Sequence, residues 1–109
     1  MLRSFILAAA ALMVVATVAS AQDKVARGAA VYAEQKCQLC HAVAGKGNAK
    51  GALDGVGKKL KAEEIRAWIV DAPAMAAKAK AERKPAMKAY ASLAKDDLDA
   101  LVAYLQSLK

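Results

Sequence analysis

The stretch of sequence that decides the fold is Cys37-Gln38-Leu39-Cys40-His41, in a chain of 109 residues. It contains both cysteines and the single histidine of the chain. Two thiols three positions apart, followed at once by an imidazole, form the pattern C-x-x-C-H. Four interpretations are chemically possible for these residues: a haem attachment site, a redox-active dithiol, a zinc site or a simple disulfide.

Haem attachment accounts for every residue of the pattern. The two thiols can reach the two vinyl groups on one side of a porphyrin, and His41 then lies under the iron, which favours imidazole nitrogen. A redox dithiol normally belongs to a strand-rich βαβ fold, and a structural zinc site needs four ligands. A disulfide between Cys37 and Cys40 stays open but gives His41 no role. The sequence therefore predicts one covalently attached haem c, held by Cys37 and Cys40, with His41 as an axial ligand of the iron.

The residues on either side of the pattern predict helices and little strand structure. Apolar residues recur with helical spacing in three segments, which predicts helices from Asp23 to about Lys36, from Ala62 to Val70, and from Asp96 to about Leu108. Pro73 is expected to end the second helix. Residues 44–57 hold five of the six glycines and are predicted to be a loop. Residues 73–85 could contain a short helix that the pattern does not place. The predicted fold class is a small all-α domain.

The first 21 residues have the features of a cleaved secretory signal peptide. Arg3 precedes an apolar run over residues 5–18, and Ala19-Ser20-Ala21 is a small-residue cleavage site. An uncleaved membrane anchor is the alternative, but the run is shorter than the roughly 20 residues that span a bilayer. We therefore expect a periplasmic domain over residues 22–109, without stable membrane insertion after cleavage. For an exported protein, the net charge of +7 does not indicate nucleic-acid binding.

Residues 22–109 resemble a class I c-type cytochrome, the soluble monohaem type of the bacterial periplasm. The likeness is carried by the following segments: Gly28 to Tyr32 in the first helix, Cys37 to His41, the glycine-rich stretch Leu53 to Gly57, and Leu101 to Leu105 in the last helix. It implies a cytochrome c fold, in which the N- and C-terminal helices cross and pack around the haem. Gly28 would then lie at a close approach of the two helices.

The resemblance also implies a methionine as the second axial ligand, ahead of the last helix. Met75 and Met87 are the methionines that remain after the signal. Met87 lies 17 residues before Tyr104, which is similar to the family's spacing, whereas Met75 lies 29 residues before it. Met87 is therefore the predicted ligand, and Met75 is interpreted as a core residue.

One departure from the family concerns the support of His41. The family often has a proline in the following loop whose carbonyl accepts the histidine N–H. This chain has no proline between His41 and Pro73. A backbone carbonyl near Gly51 to Leu53 is the expected substitute.

With both axial positions filled by protein, the expected function is that of a periplasmic single-electron carrier and not of an enzyme. The alternatives are a relay subunit docked on a dehydrogenase or oxidase, a ligand-binding or peroxidatic haem protein, and a haem-free disulfide protein. The expected partners are redox proteins with acidic docking surfaces, and the chain would be a monomer or a subunit of a redox complex. Electrostatic attraction of these partners would come from lysines predicted to surround the haem: Lys46, Lys50, Lys58, Lys59, Lys78, Lys80, Lys84 and Lys88. The same lysines could instead simply solvate an alanine-rich surface.

Overall fold

The computed structural model describes residues 20–109. The predicted signal peptide therefore lies outside the described residues, apart from its last two. Five helices are present in the described part, and we number them in chain order: α1, whose described part covers residues 20–34, α2 Val56–Lys59, α3 Ala62–Val70, α4 Ala72–Ala79 and α5 Lys95–Gln106. Short 3₁₀ helices cover Cys37–Leu39 and Ala49–Gly51. No helix within residues 20–109 is long and apolar enough to cross a membrane.

The predicted helices are confirmed, with small shifts at their ends. The predicted and observed bounds of α3 agree, whereas α5 starts one residue earlier and stops two residues earlier than expected. Pro73 does not itself end α3. Asp71, with φ −144°, separates α3 from α4, and Pro73 lies in the first turn of α4, where its missing N–H leaves no helical hydrogen bond unmade.

A two-stranded antiparallel hairpin interrupts the region that was predicted to be a loop. Strands β1 Ala42–Val43 and β2 Lys46–Gly47 pair Ala42 with Gly47 and Val43 with Lys46. The two residues between the strands, Ala44 and Gly45, have φ of 52° and 80°. Positive φ at both central residues is typical of the tight turn that suits the twist of a hairpin. Strands of two residues are too short to give a sequence signal, so the all-α class holds with this one addition.

The core of the described part joins α1, α3 and α5. Its buried side chains are Val31, Tyr32, Ile65, Ile69, Leu101, Val102 and Leu105. The apolar stripe predicted for the last helix supplies three of them, and Leu98 and Leu108 pack against its edge. Burial of one such large side chain contributes about 1.5–3 kcal/mol to folding. Burial of this cluster therefore contributes substantially to the stability of the domain.

Gly28 lies where α1 and α5 cross, as the resemblance implied. A Cβ atom built on Gly28 would overlap the carbonyl oxygen of Ala100 on α5. One turn further along α1, the ring of Tyr32 meets that of Tyr104 edge to face, with centroids 5.6 Å apart. The two helices can approach this closely only because residue 28 has no side chain.

Ion pairs add to the contacts of α5 with its neighbours. Arg27 bonds Asp97 at 3.0 Å across the helix crossing, and Arg66 on α3 bonds Asp99 at 2.6 Å. Lys95 and Arg66 together hold the pKa of Asp99 down at about 2. Because both arginine side chains remain more than 40% exposed, each pair is expected to contribute at most about 1 kcal/mol.

Replacing Gly28 tests the helix crossing. Gly28→Ala should lower the free energy of unfolding by about 1–3 kcal/mol, because the new methyl group must push α5 away from α1. Guanidinium denaturation followed by circular dichroism measures this. The control is Ala30→Ser on the exposed side of α1, which should change it by less than about 0.5 kcal/mol. Equal midpoints for Gly28→Ala and the parent protein would contradict the crossing.

Candidate functional site

The C-x-x-C-H residues form a tight turn directly after α1. Lys36 takes a left-handed conformation with φ 57°, which ends the helical path and starts the 3₁₀ helix Cys37–Leu39. The carbonyl of Cys37 accepts hydrogen bonds from the N–H groups of Cys40, at 3.1 Å, and of His41, at 2.9 Å. The turn therefore holds both thiols and the imidazole within one compact unit.

The two cysteines are free thiols with different surroundings. Cys37 is half-buried against the core, and this burial raises the pKa of its thiol. Cys40 is exposed. One sulphur thus faces the interior and the other faces the surface, and neither is engaged in a disulfide.

His41 is held by the hydrogen bond that the sequence led us to expect. Its Nδ1 lies 2.8 Å from the carbonyl oxygen of Gly51. Because a carbonyl only accepts, Nδ1 must carry the proton, which leaves the lone pair on Nε2. The expected carbonyl near Gly51 to Leu53 is therefore confirmed. The same arrangement, in which a backbone carbonyl fixes the tautomer and the ring orientation, is typical of imidazoles that bind metals.

Asn48 organises the loop that presents this carbonyl, and sequence reasoning missed it. Its backbone N–H donates to the carbonyl of His41 at 2.9 Å, and its side-chain amide donates to that of Leu39 at 3.3 Å. Its own carbonyl accepts from Gly51 N–H at 3.1 Å, and its side-chain oxygen accepts from Lys50 N–H at 3.1 Å. An asparagine within a glycine-rich stretch was the available signal, since Asn often bonds the backbone two residues on.

The loop and the motif pack too closely for side chains at two glycines. A Cβ on Gly47 would overlap the carbonyl oxygen of His41, and a Cβ on Gly51 would overlap that of Cys40. The hydrogen bond from Leu53 N–H to the carbonyl of Ala42, at 2.8 Å, closes the far end of the loop. The acceptor for His41 is thus fixed by backbone contacts on both sides.

Met87 lies half-buried in residues 81–94, which join α4 to α5 without regular secondary structure. Two neighbours show that this segment faces the motif. The Arg83 guanidinium occupies the space beside Gly51, and Tyr90 packs against the same core cluster as Cys37. The hydrogen bond from Tyr90 N–H to the carbonyl of Ile69, at 2.8 Å, anchors the segment to α3.

Met75 has a different environment. It lies on α4 and lines a shallow groove of about 500 Å³ together with Leu60 and Trp68. None of the motif residues lines this groove. The structure therefore brings the segment of Met87 to the motif and leaves Met75 in the apolar contact between helices. Met87 remains the predicted axial ligand.

The motif itself carries an exposed apolar side chain. Leu39, between the two cysteines, is 68% exposed and is the one large hydrophobic residue of residues 20–109 with such exposure. The eight lysines predicted to surround the haem are all exposed. No group of three or more His, Cys, Asp or Glu side chains in the described part could hold a metal ion.

Comparison with known proteins now gives the family. The family model described as Cytochrome c matches residues 25–109. Subunit 2 of cytochrome c oxidase from Alkalihalophilus pseudofirmus is 34% identical over 92 residues, which cover 76% of this chain and 25% of that protein. The chain thus spans about a quarter of the length of that relative. No solved structure matches the chain.

The chain belongs to the cytochrome c family, as a class I c-type cytochrome. Its cofactor is covalently bound haem c and its chemistry is electron transfer. The donor set fits this cofactor: two free thiols at the required spacing, and an imidazole whose Nδ1–H is already engaged.

Substitution can distinguish the predicted roles of Met87 and Met75. Met87→Ala should abolish the methionine–iron charge-transfer band of the oxidised protein and lower the reduction potential, because a thioether ligand raises it. Absorption spectroscopy and redox titration measure both properties. Met75→Ala is the control and should keep the band, because Met75 lines a groove away from the motif. Loss of the band in Met75→Ala alone would show that the ligand has been misassigned.

Proposed function

We propose that this protein is an exported, diffusible single-electron carrier and not an enzyme. Haem c is attached through Cys37 and Cys40, and its iron is ligated by His41 and Met87. The observation that carries this proposal is the 2.8 Å hydrogen bond between His41 Nδ1 and the Gly51 carbonyl, inside the C-x-x-C-H turn. It leaves the lone pair of Nε2 available to bind a metal and fixes the orientation of the ring.

Different residues of the chain have different roles in the proposed electron transfer. When bound, haem c supplies an iron that alternates between two oxidation states one electron apart. The thiols of Cys37 and Cys40 fix the group covalently, so that it cannot be lost outside the cell. His41 and Met87 would hold the iron with protein ligands on both sides, so its chemistry would be the gain and loss of one electron.

The docking surface that we propose is centred on Leu39. An exposed apolar side chain between the two attachment residues, on a protein with many exposed lysines, has the composition expected of a small transient interface. The complementary surface on a partner would be acidic, because opposite charges accelerate encounter without requiring tight binding. Such an interface suits a carrier that must associate and dissociate at each turnover.

A relay subunit docked on an oxidase or dehydrogenase is the second candidate. The similarity to one part of an oxidase subunit is compatible with this alternative and does not favour it over free diffusion. Purification from its natural source separates the two: a carrier should elute as a small protein, and a relay subunit with a larger partner.

Export and attachment are tested together on material from the periplasmic fraction. The mature protein should begin at Gln22 and give a positive pyridine haemochrome assay. Cys37→Ser and Cys40→Ser should each shift the haemochrome band to longer wavelength, because one vinyl group stays conjugated with the porphyrin. The double variant should lose covalent haem in denaturing electrophoresis. A haem-free protein with a Cys37–Cys40 disulfide would refute the proposal.

Electrostatic docking predicts a salt-dependent rate. The bimolecular rate of electron transfer to an acidic redox protein should fall by about tenfold or more as ionic strength rises. Lys46→Glu should reduce the rate at low salt. Lys24→Glu makes the same charge change about 15 Å or more back along α1 and should have a smaller effect. A flat salt dependence would favour the alternative in which the lysines only solvate the surface.

A further inference from the structure

The side chain of Asn48 makes two hydrogen bonds, one to the C-x-x-C-H motif and one to the loop that follows it. Its Nδ2 donates to the carbonyl oxygen of Leu39, within the motif, at 3.3 Å. Its Oδ1 accepts from the backbone N–H of Lys50 at 3.1 Å, in the short 3₁₀ helix that ends at Gly51. The side chain therefore connects the motif to the turn whose last carbonyl accepts the hydrogen bond of His41 Nδ1.

The backbone at position 48 does not require asparagine. Its φ of −87° and ψ of 108° are extended, a conformation that other residues adopt freely. Its N–H and carbonyl, which bond His41 and Gly51, would be present in any residue except proline, which lacks the N–H. The two side-chain bonds are different, because one needs a donor and the other an acceptor. Among short side chains an amide supplies both on separate atoms, whereas an ionised aspartate cannot donate. The contacts with Leu39 and Lys50 are therefore what asparagine itself contributes.

The 2.8 Å hydrogen bond of His41 depends on where this turn lies relative to the motif. Gly51 follows His41 by ten residues, and no proline restricts the chain between them. The position of the acceptor must therefore be fixed by contacts across the loop. Within residues 20–109, apart from the bond of His41 itself, the Asn48 amide supplies the one side-chain hydrogen bond between loop and motif. Loss of this amide should loosen the acceptor, while the backbone bonds keep it near the imidazole.

We propose that Asn48 is a positioning residue that lowers the reduction potential of the bound haem by holding the Gly51 carbonyl against His41 Nδ1. The inference rests on the proposed ligation of the iron by His41. A hydrogen bond donated by Nδ1–H makes the imidazole a more basic ligand, which favours the oxidised iron. Loosening that hydrogen bond should therefore raise the reduction potential.

Redox titration of three haem-loaded variants tests this direction. Asn48→Ala removes both side-chain bonds and should shift the redox equilibrium toward the reduced form by up to about tenfold, the worth of one hydrogen bond. Asn48→Ser keeps an oxygen that can accept from the backbone two residues on, and it should give an intermediate potential. Ala49→Ser is the control, because this neighbouring side chain is exposed, and it should leave the potential unchanged. An Asn48→Ala protein with the potential of the parent would overturn the inference.

Hydrogen exchange at His41 Nδ1, followed by proton NMR of the reduced protein, shows whether the effect passes through this hydrogen bond. The proton should exchange slowly in the parent protein and about fivefold faster or more in Asn48→Ala, because the bond opens more often. A raised potential with unchanged exchange would point to another cause and would also overturn the inference.

Two further outcomes are distinguishable from these. If Asn48→Ala does not take up haem, Asn48→Ser decides by the same two measurements, and parent values for both overturn the inference. A negative haemochrome assay on the parent protein would instead refute the proposed function.

Discussion

The close crossing of α1 and α5 is the contact on which the rest of the structure depends. Gly28 leaves room for the carbonyl of Ala100. This close approach brings the rings of Tyr32 and Tyr104 into contact. The two helices also form an apolar surface on which Ile65 and Ile69 of α3 pack. Cys37 follows α1 after a turn of only two residues. The position of the helix crossing therefore also determines where the thiols of the motif lie relative to the core.

Backbone groups of the loop after the motif orient the imidazole of His41. An imidazole that binds iron needs a fixed acceptor for its second nitrogen, and many relatives position that acceptor with a proline. Here Asn48 and two closely packed glycines place the Gly51 carbonyl instead. Several weak contacts within one short loop thus replace a single conformationally restricted residue.

The sequence predicted those features that depend on neighbours along the chain. Helices α3 and α5 have a clear apolar period, and the attachment residues have a diagnostic spacing. The hairpin was not predicted, because it depends on Ala44 in a left-handed conformation that alanine seldom adopts. Helix α4 could not be placed, since its alanines form no distinct apolar face. Asn48 was missed because its role depends on carbonyl groups that only the folded backbone brings together. Met87 is predicted as a ligand through family spacing alone.

The segment that contains Met87 shows how ligation and folding can be coupled in so small a domain. Within residues 81–90 only Met87 and Tyr90 are even half-buried, so the segment contributes little apolar surface of its own to the core. Its described anchor to α3 is the hydrogen bond from Tyr90 N–H to Ile69. A bond from the Met87 sulphur would add a second anchor three residues away. Thioether sulphur is a soft ligand and binds the reduced metal more strongly than the oxidised one. The order of this segment, and of the lysines within it, should therefore follow the oxidation state of the protein.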